Sequence, residues 1–170
     1  MSKFHGEFFF ASEARQIALR CELDSWRGTR FFPNFGKKGI GVDCVQFVAL
    51  VLVNLGAITA FHLPPYSWRS GGAAMRDRLL EAVNERPELL PIWDCSHTGW
   101  PELLPGDVFA FSNGISNHHL GIYAGDNILW HILARRGVCL ANVTDPTIRS
   151  LTIAIWRPIG AITPVDLNAL

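Results

Sequence analysis

Asp43-Cys44-Val45-Gln46-Phe47-Val48-Ala49-Leu50-Val51-Leu52-Val53-Asn54-Leu55-Gly56 is the stretch whose conformation decides the fold. Its β-branched content argues for a strand. Its length argues for a helix, because it exceeds the usual strand. Asp43 can cap a helix start, and Gly56 can end one in the left-handed conformation. Apolar residues occupy nearly every face, so the helix belongs at the centre of the domain. That places a cysteine in the first turn of a buried helix.

On the N-terminal side, Ser12 is a candidate N-cap, and Ala14, Ile17, Ala18 and Cys21 recur at helical spacing, which predicts a helix over about 12–24. Residues 25–42 hold Gly28, Pro33, Gly36, Gly39 and Gly41 and read as a long loop. Its aromatics, Trp26, Phe31, Phe32 and Phe35, predict that it packs down on the core. On the C-terminal side, 57–72 is a second loop with Pro64-Pro65-Tyr66. A helix over 73–86 follows, with Met75, Leu79, Leu80 and Val83 inward and Pro87 as its stop. Residues 87–106 read as a Pro-rich connection. The pattern then changes to short strands at 107–112, 119–124, 128–133, 137–143 and 152–157. Helices first and strands after give an α+β domain with a five-stranded antiparallel meander.

The chain of 170 residues reads as one domain over 1–170, with 49% apolar and 18% charged residues, enough to bury a sizeable core. A formal net charge of zero disfavours nucleic-acid binding. The N-terminal patch is too short for a secretory signal, and the apolar run from Phe47 to Phe61 is broken by Asn54, Gly56 and Thr59. The expectation is a soluble chain made in the cytoplasm, with no membrane span. Four cysteines, at 21, 44, 95 and 139, show no CxxC pair and read as reduced thiols. Cys95, His97, His118 and Cys139 lack standard ligand spacing, so no metal is expected. Gly36-Lys37-Lys38-Gly39 lacks the rest of a phosphate loop. No cofactor is expected.

A helix N-terminus favours thiolate at Cys44, but by only about 0.3–2 kcal/mol. Lowering a thiol pKa from about 8.5 to about 6 takes roughly 3.4 kcal/mol, so a cationic partner is required. Of histidines 5, 62, 97, 118, 119 and 131, strand geometry selects two. If Tyr123 pairs with Asn127 across a turn at Gly125-Asp126, His119 falls opposite His131 on one face. One imidazole can then hold the other, the base-plus-orienter arrangement of a triad. A slip of one residue would put them on opposite faces. The expected result is a thiolate titrating well below pH 8 that depends on His119.

These spacings resemble those of NlpC/p60 cysteine peptidases. Gly41-Val42-Asp43-Cys44-Val45-Gln46-Phe47-Val48 resembles the family's G-x-D-C-x-x-F-V nucleophile motif. Leu104-Pro105-Gly106-Asp107-Val108-Phe109-Ala110-Phe111 resembles its L-x-P-G-D-[LV]-x-x-F segment. His119-Leu120-Gly121-Ile122-Tyr123 resembles its H-[VL]-G-I-Y strand, and His131 falls where the family places its third residue. Trp26-Arg27-Gly28-Thr29 looks like its W-x-G-T stretch, so the motifs stand in family order over 26–131. Lys37 to Cys44, with Pro64-Pro65-Tyr66-Ser67, looks most like the phage and prophage tail-associated branch.

The resemblance implies a papain-like fold, with the Cys44 helix packed on the sheet. It implies a cysteine endopeptidase that cuts peptidoglycan stem peptides at the D-glutamate–diaminopimelate or –lysine bond through a thioacyl-enzyme. Cys44 would be the nucleophile, His119 the base and His131 the orienting residue, with Asp43, Val45, Phe31 and Tyr66 at the substrate. The implied partners are the stem peptide and phage tail proteins, and the implied site of action is the cell wall, reached on a virion tail. Two departures stand out: Phe31 occupies a position where the family often has Tyr, and Val45-Gln46 replace Ser-Gly. They open two alternatives, a structural tail-tip component with a weak or idle site, and an amidase or acyltransferase on the same fold. Plainer readings are a buried inert Cys44, a core His131, a purely capping Asp43, and packing roles for Tyr66 and Trp68.

Overall fold

A computed structural model describes residues 8–60, 73–112 and 119–160, with the backbone alone for 73–78. Helix α1 spans Glu13–Asp24, capped by the Ser12 hydroxyl, which accepts from the Arg15 N–H. It buries Leu19 and Leu23. Strands β1 (Gly36–Lys37) and β2 (Gly41–Val42) form an antiparallel hairpin within the 25–42 segment. Trp26 packs down as expected, against Phe47 at a centroid distance of 5.6 Å. Phe32 and Phe35 do not: both stay exposed.

Helix α2 runs Cys44–Asn54, so burial overrides the strand propensity of its valines. Asp43 Oδ1 accepts from the N–H groups of Val45 (3.1 Å) and Gln46 (2.9 Å), which closes the N-terminus. Gly56, at φ +72°, ends the helix, as expected. Phe47, Val48, Val51 and Leu52 are buried, and each contributes about 1.5–3 kcal/mol of transfer free energy. No helix among the described residues is long and apolar enough to cross a membrane. Helix α3 spans Ala73–Asn84, two residues shorter than expected, and the Asn84 side chain accepts from Trp156 Nε1 at 2.7 Å.

The five-stranded expectation is overturned. The main sheet has six strands: β3 (Leu89–Asp94), β4 (Val108–Phe111), β5 (His119–Gly125), β6 (Ile128–Leu133), β7 (Gly137–Asn142) and β8 (Thr152–Pro158). Their order is β3-β8-β4-β5-β6-β7, and every neighbouring pair is antiparallel. The added strand, β3, lies in the segment expected to be connection. Pro91 argues against a strand there, but β3 is at the sheet edge, where proline is tolerated, and its register shifts between Pro91 and Trp93. The meander holds for β4–β7 only. The short helix α4 (Pro146–Leu151, capped by Asp145) carries the chain back, so that β8 lies between β3 and β4.

The two faces of the sheet bury different clusters. Val108, Leu120, Ile122 and Trp130 pack with α2, whereas Phe109, Phe111, Tyr123 and Leu129 face the other way. At the start of β4, Gly106 takes φ +96° with Phe10 where a Cβ would stand, so only glycine fits. Next to it, buried Asp107 is held by a two-pronged bond from Arg157: Nε to Oδ1 and Nη2 to Oδ2, each 2.8 Å. Oδ2 also accepts the Leu104 N–H at 2.8 Å. This ties the loop before β4 to β8.

Candidate active site at the head of the central helix

Cys44 opens α2 and is 8% exposed. The backbone N–H groups of Leu120, Cys44 and Val45 all point to its thiol. The helix end supplies two of these donors, and β5 supplies the third. Asp43 is buried, and its Oδ2 accepts the Asn34 N–H at 2.7 Å, in addition to the two bonds to the helix. Asn34 sits at φ +52° to make that bond. Asp43 is therefore both the helix cap and the clasp on the preceding loop.

His119 is the first residue of β5, and its Nε2 lies 3.0 Å from Nδ1 of His131 on β6. The rings meet edge to face, with centroids 5.2 Å apart. The expected direct opposition is corrected: Gly121, not His119, pairs with His131. The hairpin turns at Asp126-Asn127, both in the left-handed region, and the register shifts between Tyr123 and Gly125. This displaces the pairing by two residues, which preserves the face, so the histidines meet on a diagonal. Gly121 has no side chain to stand between them. Phe111, paired with His119, packs against its ring at 5.5 Å.

The imidazoles lie on the Phe109–Phe111 side of the sheet, while Cys44 belongs to the cluster on the α2 side. Thiol and imidazole reach the sheet at adjacent residues of β5, 120 and 119. Phe31 is half-buried and forms a parallel bridge to Val42. Val45 is buried in the core. Tyr66, Trp68 and His118 lie outside the described residues. His97 is exposed and bonds Asp94 at 2.9 Å. No group of three His, Cys, Asp or Glu among the described residues could hold a metal.

Two features escaped the sequence reading. The Leu120 N–H that meets the thiol is backbone and has no residue signature. Cys139 on β7 pairs directly with His131, and only an exact β6–β7 register could have revealed it.

The electrostatics differ from the expectation of a low thiol pKa. Burial, with a contribution from the Asp43 carboxylate, pushes the Cys44 thiol up from 9.0 to about 12. The three N–H donors act in the opposite direction but do not offset it. Three units correspond to about 4 kcal/mol, more than the ~2 kcal/mol upper range of a helix end. Burial and the neighbouring His131 push His119 down to about 3. His131 is lowered by burial and by Arg136. The resting groups are therefore a thiol and two neutral imidazoles, with one ring proton between Nε2 and Nδ1. Since only thiolate alkylates, the iodoacetamide rate at Cys44 is expected to rise about tenfold per pH unit from 7 to 10. A plateau below pH 8, measured by mass spectrometry of the Cys44 peptide, would contradict this.

A cysteine heading a buried helix, laid on a six-stranded antiparallel sheet that carries a histidine pair, defines an α+β architecture. The chain shares this fold with crystal structures of NlpC/P60 proteins. One, described as similar to a lipoprotein of the NLP/P60 family, from Staphylococcus aureus, superposes with a TM-score of 0.58 at 14% identity, over 94% of this chain and 45% of that one. An NlpC/P60 family protein from Bacillus cereus gives a TM-score of 0.50 at 22% identity, over 83% and 40%. The chain thus spans less than half the length of either. No family model matches the sequence, and no curated protein matches it.

Proposed function

We propose that the chain is a cysteine endopeptidase of peptidoglycan stem peptides, acting at the bond between D-glutamate and diaminopimelate or lysine. The observation that carries this reading is the 3.0 Å His119–His131 bond on the strand whose next N–H meets the Cys44 thiol. His131 engages Nε2 of His119, which leaves Nδ1 to take the thiol proton. That transfer requires the His119 ring to reach Sγ around the head of β5 in the substrate complex.

The sulfur then attacks the carbonyl as the proton leaves, so no resting thiolate is required. The Cys44 N–H, which meets the resting thiol, would turn to the oxyanion as the sulfur bonds the carbonyl. The proton passes from His119 to the departing amine and leaves a thioacyl-enzyme. Water, activated by the same imidazole, releases the acid and restores the thiol. Purified protein incubated with muropeptides under reducing conditions should yield the two stem fragments by mass spectrometry. Intact muropeptides, with the protein folded, would sink the reading.

A second reading, a tail-tip or assembly component with an idle site, is favoured by the buried neutral thiol, by Phe31 without a hydroxyl, and by Val45 turned into the core. It is distinguished by assembly that survives Cys44→Ala but fails on deletion of the chain.

A further inference from the structure

The β1–β2 hairpin and the segment leading into it carry apolar side chains that stand exposed among the described residues. Phe32 is 60% exposed, Ile40 58% and Phe35 37%. Phe32 and Phe35 touch edge to face at 5.6 Å, seated over Gly41, where a Cβ would meet both rings. Ile40 stands in the turn beside Gly39. Scattered exposed apolar residues are ordinary, but three within nine positions mark a contact surface.

The segment that carries them holds charge of one sign, two of its four cations being paired with acids of α1. Residues 25–42 contain Arg27, Arg30, Lys37 and Lys38 and no acidic residue. Arg27 pairs with Asp24 (2.8 Å), and Lys38 pairs with Glu22 (2.9 Å). Arg30 and Lys37 are exposed and enter no ion pair among the described residues. The hairpin is also anchored. Gly36 packs on Leu50 and Gln46 of α2, and the Asp43 N–H donates to the Phe35 carbonyl at 3.2 Å.

We propose that this hairpin docks on an anionic lipid surface. A turn that presents aromatic and aliphatic side chains with cations beside them suits the headgroup boundary. There the apolar groups enter the acyl edge and the cations meet phosphate. Two unpaired cations are too few for a nucleic-acid backbone. The surface would be coupled to the head of α2 through Asp43, which bonds the hairpin and caps the helix. The proposal stands apart from the peptidase reading, since neither Cys44 nor the histidines enter it.

Co-sedimentation of the full chain with vesicles tests it. Vesicles of phosphatidylglycerol and phosphatidylethanolamine should retain the protein, with retention falling in 0.5 M salt. Vesicles of phosphatidylcholine alone should retain it poorly. The pair Phe32→Ser and Ile40→Ser should cut retention at least tenfold. The pair Arg30→Gln and Lys37→Gln should cut it about fivefold per charge. Ile17→Ser, at an exposed isoleucine of α1, should leave it unchanged, with circular dichroism confirming the fold of each variant. The proposal is overturned by no retention on anionic vesicles, by equal retention on neutral ones, or by retention that survives Phe32→Ser and Ile40→Ser. It is also overturned if those two changes only convert a solution dimer into a monomer.

Discussion

Cys44→Ala is expected to lower kcat/KM for muropeptide cleavage by at least about 10⁴, because in the proposed mechanism it removes the atom that forms the thioacyl bond. The protein should remain folded, since the change deletes one sulfur beside Val45 and Leu120 in a core built of larger groups. His119→Ala should lose nearly as much, and the double variant little more, because nucleophile and base act as a unit. His131→Ala removes a partner 3.0 Å from His119 and should lower kcat by about 10²-fold, with KM nearly unchanged. Initial rates on a defined muropeptide, with a melting temperature for each variant, check the series. A Cys44→Ala variant that keeps a tenth of the rate would remove the sulfur from the mechanism and leave the idle-site reading in its place.

The parts of this arrangement that could be read from the sequence are those fixed by local chemistry. Asp43 and Gly56 delimit α2 because a carboxylate can satisfy free N–H groups and a glycine can take positive φ, so the position of Cys44 follows from two flanking residues. The shared face of His119 and His131 survives a register error of two because strand alternation has period 2. What could not be read depends on distant pairing. Pro91 is permitted in β3 because, among the described residues, no further strand pairs on its outer side, and the chain itself does not say which strand is at the edge. The return of β8 to β4 through α4 is equally silent. The neutral thiol is a property of the assembled core. The helix end that favours thiolate is visible from residue 43 onward, whereas the larger cost of desolvation appears only when α2 is laid on β5. Phe32 and Phe35 look like core residues by type, and only the fold shows that Gly41 seats them outward.

Asp107→Ala should destabilise the fold by about 3–5 kcal/mol, a large share of a typical domain's 5–15 kcal/mol. The carboxylate is fully buried, and it is the acceptor for both prongs of Arg157 and for the Leu104 N–H. Its removal leaves a nearly buried guanidinium, still bonded to the Glu102 carbonyl at 2.6 Å, and the Leu104 N–H without their carboxylate, so the cost is mainly that of buried donors losing an acceptor rather than of a lost attraction. Arg157→Met alone should also destabilise, by leaving the carboxylate behind. Asp107→Leu combined with Arg157→Met should recover much of either loss, because two apolar groups need no partner. The effect should reach the site as well. Asp107 precedes β4, whose Phe111 pairs with His119 and packs on its ring. A loosened β4 should therefore weaken the hold on the dyad and lower kcat at temperatures where the variant is still folded. Urea unfolding of the two single variants and the double one measures the cycle. A loss below 1 kcal/mol for Asp107→Ala would mean that water reaches Arg157 once the carboxylate is gone, and that the pair does not hold this corner of the sheet.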